Sequence, residues 1–310
     1  MWAHVFLGTD ELIGLDEAIA RSGVPRTDAE TAVRLLGIPV SDQTRIAEHD
    51  TAILGISEQL SSIFGEDVSR QILRTVGSAA ARIAETLTMN VRIGVETPMM
   101  RETDYADFVR LVGPLFVERF PRLMNVIDRV TRYHMLSMNT QTWGTDVDVS
   151  AVTMTRSVGF ADMVGFTTHA AAVSTSELTR MIDVFEARVS DEIGRHGGRA
   201  VKFIGDEVFF AFVDADAACA CALDLLTLAR DETIPDVRVG MAHGEVVARA
   251  GDYYGPVVNL ASRLVNVADS GTAIVSTGLA QHATAHDFEP QPARELKGVA
   301  EPVAIMRLTS

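Results

Sequence analysis

V-K-F-I-G-D-E-V-F-F-A-F, residues 201–212, places two apolar runs on either side of Gly205-Asp206-Glu207. Val201 and Phe203 alternate with Lys202 and Ile204; from Val208 to Phe212 the run is apolar on both faces. This pattern predicts a β-hairpin in the middle of a covered sheet. One lysine and one aspartate are planted in it, and charges in such a place are costly unless paired. A tight Gly-Asp turn with a salt-bridged lysine would account for the stretch alone. What else the charges do depends on the partners the rest of the chain supplies.

The 310 residues give room for about two domains. With 47% hydrophobic and 22% charged residues, the chain can bury a core and is not of the disordered class. Net charge is −15, shared almost evenly by the two halves. Neither half is a basic platform for nucleic acid or anionic lipid, so a small anionic ligand needs local positive charge or a metal ion. Of the 27 basic residues only Lys202 and Lys297 are lysine. Such sparing use suits sites that need a compact ammonium rather than a planar guanidinium. Cys219 and Cys221, two apart in an alanine-rich helical stretch, point away from each other and read as small core residues in a reducing compartment. No apolar run is long enough to span a membrane, and the N-terminus lacks the basic region of a signal peptide. The expected location is the cytoplasm.

Upstream of the hairpin, helical periodicity runs through residues 1–140. Two short helices, Glu11–Arg21 and Asp28–Leu36, have the outline of a helix-turn-helix but no basic face. Ile53, Ile56, Leu60, Ile63 and Phe64 mark a helix in 44–64. A second uses Val68, Ile72, Val76, Ala80, Ile83 and Leu87, with small residues from Gly77 to Ala81 allowing close approach to a neighbour. Tyr105–Leu136 is a third, which Pro114 and Pro121 should break or kink. Residues 1–140 thus read as an all-helical domain and the polar stretch 141–151 as a linker.

From residue 152 to 310 the pattern changes. A strand, Arg156–Ala161, precedes Asp162. A helix over Ser176–His196 ends at Gly197-Gly198. After the hairpin comes a helix over Asp214–Ala229, then two strands, Val237–Ala242 and Glu245–Ala250, around His243-Gly244. Pro256 opens a helix to Ala268. Short strands are expected at Thr272–Ser276, Asp287–Glu289, Ala293–Leu296 and Val303–Leu308. The order predicts an α+β sheet covered by helices.

If the first strand lies beside the hairpin, Asp162 and Asp206 meet at one end of the sheet. Two carboxylates with few other ligands are how proteins hold Mg²⁺ against a polyphosphate. Backbone groups from Met163 to Thr168 lead toward the next helix and suit phosphate oxygens. Asn259 and Arg263, four apart, share one face of the Pro256 helix, with Asp252 just ahead of it.

Four blocks, F-A-D-M-V-G-F-T (160–167), K-F-I-G-D-E (202–207), D-Y-Y-G-P-V-V-N-L-A-S-R (252–263) and E-L-K-G (295–298), resemble the catalytic domain of class III nucleotide cyclases. The resemblance covers about residues 152–310. It implies a ferredoxin-like catalytic domain with a mostly antiparallel central sheet, here preceded by an all-α regulatory domain. It also implies the roles of single residues. Asp162 and Asp206 match the two metal-binding aspartates, for two Mg²⁺ or Mn²⁺ per site. Lys202 and Asp252 match the pair that reads adenine, which favours ATP over GTP. Asn259 matches the residue that orients the ribose, Arg263 the one that stabilises the transition state, and Lys297 the lysine that holds the β- and γ-phosphates. Met163, Val164, Gly165, Phe166 and Thr167 match the phosphate loop.

The implied reaction is ATP to 3′,5′-cyclic AMP and pyrophosphate, by in-line attack of the ribose 3′-hydroxyl on the α-phosphorus. In the family the metal aspartates come from one subunit and the base, ribose and transition-state residues from the other. A single chain holding both sets implies a head-to-tail homodimer with two shared sites. Lys202 and Asp206 would then serve different sites.

I-G-D-E-V-F also echoes the Gly-Gly-Asp-Glu-Phe signature of diguanylate cyclases, but Ile204 replaces a glycine, and Asp252, Asn259 and Arg263 have no role there. A guanylate cyclase is a further competing reading, and so is a DNA-binding regulator working through residues 10–40, which the acidic balance opposes. The helical region resembles regulatory domains ahead of bacterial cyclases, some of them pH-responsive. Eight histidines, His134 and His169 among them, suit proton sensing; a lipid or another small ligand is the competing expectation.

Overall fold

The computed structural model describes residues 2–139, 152–228, 234–298 and 301–310. The expected linker, 141–151, lies outside them. The chain divides into two compact units, Met1–Trp143 and Gly144–Ser310.

The first unit is mainly helical, with α1 (Trp2–Leu7), α2 (Leu15–Ser22), α3 (Arg26–Leu35), α4 (Ile56–Phe64), α5 (Glu66–Val91), α6 (Thr97–Met99) and α7 (Tyr105–Asn139). It is not all-helical: β1 (Leu12–Gly14) pairs antiparallel with β2 (Arg45–Ala47). The helix expected from Glu11 therefore starts only at Leu15. Three apolar residues are too few to separate a period of 2 from one of 3.6, and burial of Ile46 opposite Ile13 favours the ribbon. Residues 48–55, expected as part of a helix, form a 3-10 segment.

Leu15, Ala18, Ile19, Ala29, Val33 and Leu54 fill the core between α2, α3 and that segment. Gly77 allows α5 to close on the end of α3, because a Cβ there would lie 2.6 Å from the Leu36 carbonyl carbon. Pro114 and Pro121 do not break α7. The carbonyls they orphan belong to Arg110 and Val117, both exposed residues where water can take the bond. On α3, Arg26 pairs with Asp16 and Glu30, and Arg34 with Glu30, so the helix-turn-helix outline carries no free basic face. Among the described residues no helix is long and apolar enough to cross a membrane.

The second unit is built on a sheet of β3 (Val152–Met163), β4 (Arg199–Ile204), β5 (Glu207–Phe212), β6 (Val237–Arg249), β7 (Asp252–Tyr254), β8 (Ala273–Ser276), β9 (Phe288–Arg294) and β10 (Val303–Leu308). The spatial order is β4-β5-β3-β6-β8-β10-β9, with β7 paired to the end of β6. Every pairing is antiparallel except β6 with β8. The helices are α8 (Phe166–Ala170), α9 (Thr175–Arg195), α10 (Ala215–Leu226), α11 (Pro256–Val267) and α12 (Thr277–His282).

Strand alternation sorts the core into two layers. Val208, Phe210 and Phe212 of β5 face α9, α10 and α12, against Phe185, Val189, Cys219, Cys221, Leu225 and Leu279. Phe209 and Ala211 face the other way, with Val158 and Phe160 of β3, under Ala261 and Val265 of α11. The two thiols are thus small core side chains, and burial pushes both up to about 12. The sheet admits α11 closely at Gly240, where a Cβ would sit 2.0 Å from the Val265 nitrogen. This contact sets the distance of α11, and of Asn259 and Arg263 upon it, from the sheet.

Three sequence expectations change. The hairpin is not central: β5 lies inside the sheet, but β4 is an edge strand. An edge suits Lys202, whose side chain keeps 39% of its exposure. His243-Gly244 is not a turn; β6 runs unbroken through it. Gly244 is required there by close approach, at φ 153° with room for a Cβ blocked by Val257 at 2.9 Å. The strands expected at Asp287–Glu289 and Ala293–Leu296 are one strand, β9. Its Pro290 and Pro292 are tolerated because β9 is the other edge, where an N–H can be spared.

Candidate active site

The first constellation gathers where β3 ends and the hairpin turns. Asp162 is the penultimate residue of β3, in register with Glu207 on one side and Arg238 on the other. Gly205-Asp206 is a two-residue loop whose glycine takes φ +65°, a conformation that glycine adopts without strain. The Met163 amide donates to the Asp206 carbonyl at 3.2 Å, fixing the loop against the end of β3. Three carboxylates, Asp162, Asp206 and Glu207, therefore crowd one end of the sheet. Arg238 is the cation among them. Its Nε and Nη2 both donate to Asp162 Oδ2, at 2.8 and 2.6 Å.

The electrostatics follow from that ratio. Burial raises the Asp206 carboxyl above its ordinary range; Asp162 adds to the rise and Arg238 opposes it. Burial, then Asp162 and Asp206, push Glu207 up to about 7. Crowded, partly buried oxygen donors with an excess of negative charge fit a hard divalent cation such as Mg²⁺ or Mn²⁺. Sequence reasoning alone misses Glu207 and Arg238. The signal is adjacency: Glu207 follows Asp206 directly, and Arg238 faces Asp162 once β6 is placed beside β3.

The second constellation joins the hairpin to the start of α11. Lys202 Nζ donates to Asp252 Oδ2 at 2.5 Å, across fifty residues of sequence. Asp252 Oδ1 also accepts from the Tyr253 amide at 2.8 Å. Lys202 Nζ stands 5.7 Å from the centre of the Phe209 ring. Arg199, on the same strand, clamps the partner segment, donating from Nη2 to the Gly251 carbonyl at 3.1 Å and lying over the Tyr253 ring at 5.0 Å. Arg199 also escapes a sequence reading, because nothing local links β4 to β7.

Asn259 is exposed on α11, one turn before half-buried Arg263. A Cβ on Gly298 would lie 3.3 Å from Arg263 Nη2, so the guanidinium reaches the segment that carries exposed Lys297. The expected phosphate loop is only partly available. Met163 is buried, its amide is spent on Asp206, and the Val164 amide donates to the Asp236 carbonyl at 2.7 Å. Gly165, in the left-handed region at φ +74°, caps α8 and leads to Phe166 and Thr167.

Residues 149–304 match the model of the adenylate and guanylate cyclase catalytic domain. The chain belongs to that family. Among relatives of this chain, an adenylate cyclase of Streptomyces coelicolor is 32% identical over 286 residues, covering 89% of this chain and 73% of its own length. An uncharacterised protein of Mycobacterium tuberculosis is 34% identical over 261 residues, 83% of this chain and 68% of its own. A solved guanylyl cyclase, Cya2, aligns at 21% identity and a TM-score of 0.48, over 51% of this chain and 93% of that one.

The carboxylate cluster makes a pH prediction. Glu207 has its folded-state value raised from 4.5 to about 7, so the folded state favours its protonated form. Its contribution to stability is present below about 4.5 and is lost as pH rises through about 7. Thermal unfolding of wild type and Glu207→Gln in chelator should therefore diverge between about pH 4.5 and 7. The variant is expected to gain relative stability as pH rises, and Mg²⁺ to shrink the gap. Parallel curves would show that Glu207 bears no such burden.

Proposed function

We propose that this protein converts ATP to 3′,5′-cyclic AMP and pyrophosphate. The observation that carries the reading is the contact of Lys202 with Asp252. An ammonium donor and a carboxylate acceptor stand side by side, which suits the ring nitrogen and exocyclic amine of adenine. Guanine would turn a carbonyl toward the carboxylate. The pair bonds to itself without substrate, and the base would enter by taking over those two groups.

Asp162 and Asp206 are the residues that would hold two divalent cations, with Glu207 beside them. Bound there, the cations supply Lewis-acid activation of the 3′-hydroxyl and neutralise the polyphosphate. The protein's own groups do the rest. Asn259 orients the ribose. The backbone of Gly165, Phe166 and Thr167 would serve as the part of the phosphate loop that cradles the triphosphate. Arg263 meets the charge that develops at the α-phosphoryl oxygens, and Lys297 holds the β- and γ-phosphates. Arg238 positions Asp162, and Arg199 positions Asp252 through Gly251 and Tyr253. The two constellations work in a head-to-tail homodimer, each site taking Asp162 and Asp206 from one chain and Lys202, Asp252, Asn259 and Arg263 from the other.

Residues 152–310 are the catalytic domain and residues 1–140 a regulatory domain in this reading, the latter answering to protons or to a small ligand such as a lipid. Comparing pH–activity curves of the full chain and residues 150–310 tests the regulatory part. A displaced curve on truncation is expected, and superimposable curves would remove proton sensing by residues 1–140.

Steady-state kinetics with ATP and GTP separately, in Mg²⁺ and in Mn²⁺, test the activity. ATP is the expected substrate. Lys202→Ala should lower kcat/KM for ATP by about 10–100-fold, the worth of one charged hydrogen bond, and leave any GTP turnover no lower. Preference of the wild type for GTP, or equal loss with both nucleotides, would overturn the adenine reading.

A further inference from the structure

A second group of metal-ligating side chains lies away from both constellations, where α9 ends against α10. Glu192 lies in the last turn of α9 and His196 caps its C-terminus, four residues on, while Asp224 faces them from α10. His196 Nε2 is 2.8 Å from Asp224 Oδ2 and 3.4 Å from Glu192 Oε1. All three donor atoms lie within 4.8 Å of one another. We propose that Glu192, His196 and Asp224 form a binding site for a late first-row divalent cation, Zn²⁺ being the best fit.

The geometry suits such an ion. Donors about 2.1 Å from a tetrahedral Zn²⁺ lie about 3.4 Å apart, within the spread observed here. One imidazole and two carboxylates select zinc-like cations over Mg²⁺, which prefers oxygen alone. Burial is graded in the way an open metal site requires. The Glu192 side chain is 8% exposed, His196 21% and Asp224 51%, so the ligands rise from the core to solvent and leave a face for water.

The charges are consistent with that assignment. Glu192 is a nearly buried carboxylate whose oxygens accept from Arg195 Nη1 at 2.9 and 2.7 Å, yet Arg195 itself is largely exposed. Buried Cys221 senses the same negative field, its thiol being held up by burial first and then by Glu192 and Asp224. In the structure the imidazole Nε2 bridges the two carboxylates. A cation would replace the bridging proton, Nε2 becoming a lone-pair donor and the proton leaving to water. The bound ion would tie the end of α9 to α10. His196 is followed by Gly197-Gly198 and then β4, so the tie lies just ahead of the strand that carries Arg199 and Lys202.

The site is independent of the proposed cyclase chemistry, and the test separates the two. Full-length protein, stripped with chelator and returned to excess Mg²⁺, is titrated with Zn²⁺ by calorimetry. The titration is repeated with Co²⁺ to read the d–d absorption of a four-coordinate site. Wild type should bind one Zn²⁺ per chain and melt at a higher temperature when loaded. His196→Gln should lose this binding, and Asp224→Asn, at a half-exposed position, should weaken it at least about 10-fold. Asp206→Asn, which alters the active-site carboxylates, should retain it. Unchanged isotherms in both His196→Gln and Asp224→Asn overturn the proposal, as does loss confined to Asp206→Asn. If His196→Gln does not fold, Asp224→Asn alone decides.

Discussion

Lys202 is a cation on an edge strand, and Asp252 is the anion that holds it. Their contact joins two segments fifty residues apart. It draws β7, and with it the start of α11, onto the hairpin. Arg199 reinforces the join from the same strand through Gly251 and Tyr253. Pro256 opens α11 two residues after β7 ends, so Asn259 and Arg263 follow this pair closely in the chain. The close approach at Gly240 then governs how near they come to the sheet. Pairing of β7 with β6 holds this segment in the sheet, and the ion pair and the close approach at Gly240 add to the placement of one half of the site.

The other half is governed by repulsion. Three carboxylates share the end of β3 and the hairpin loop, and Arg238 neutralises only Asp162 directly. Such a cluster is uncomfortable unless a cation joins it. That discomfort is what makes it a good receptor for a divalent ion, and burial amplifies it. The hairpin belongs to both halves at once. Lys202 leaves it on the strand and Asp206 at the tip, so the two halves cannot move independently of β4 and β5.

Much of this is legible in the sequence because the relevant signals are local. Short apolar runs mark β3, β5 and β10, Gly-Asp marks the hairpin loop, and Pro256 marks the start of α11. The errors within the large sheet share one cause, which is that position in the sheet is non-local. Nothing near Lys202 says that β4 is an edge. His243-Gly244 looks like a turn because glycine usually is one, whereas here it makes room for Val257. Pro290 and Pro292 look like strand breakers because the sequence does not show that β9 has one free side. Pro114 and Pro121 mislead for a related reason, since their cost depends on whether the orphaned carbonyls reach water. Glu207, Arg199 and Arg238 escape notice because their roles emerge only once strands are set side by side.

In the proposed homodimer the two charges of one hairpin serve two different active sites. Mixing Asp206→Ala with Arg263→Ala protein tests it most directly. Each variant alone should be inactive. On mixing and subunit exchange, about half of the dimers carry one variant of each kind, and one site in each of these is whole. Cyclase activity should recover to roughly one site in four. A mixture that stays inactive although heterodimers have formed would contradict this arrangement.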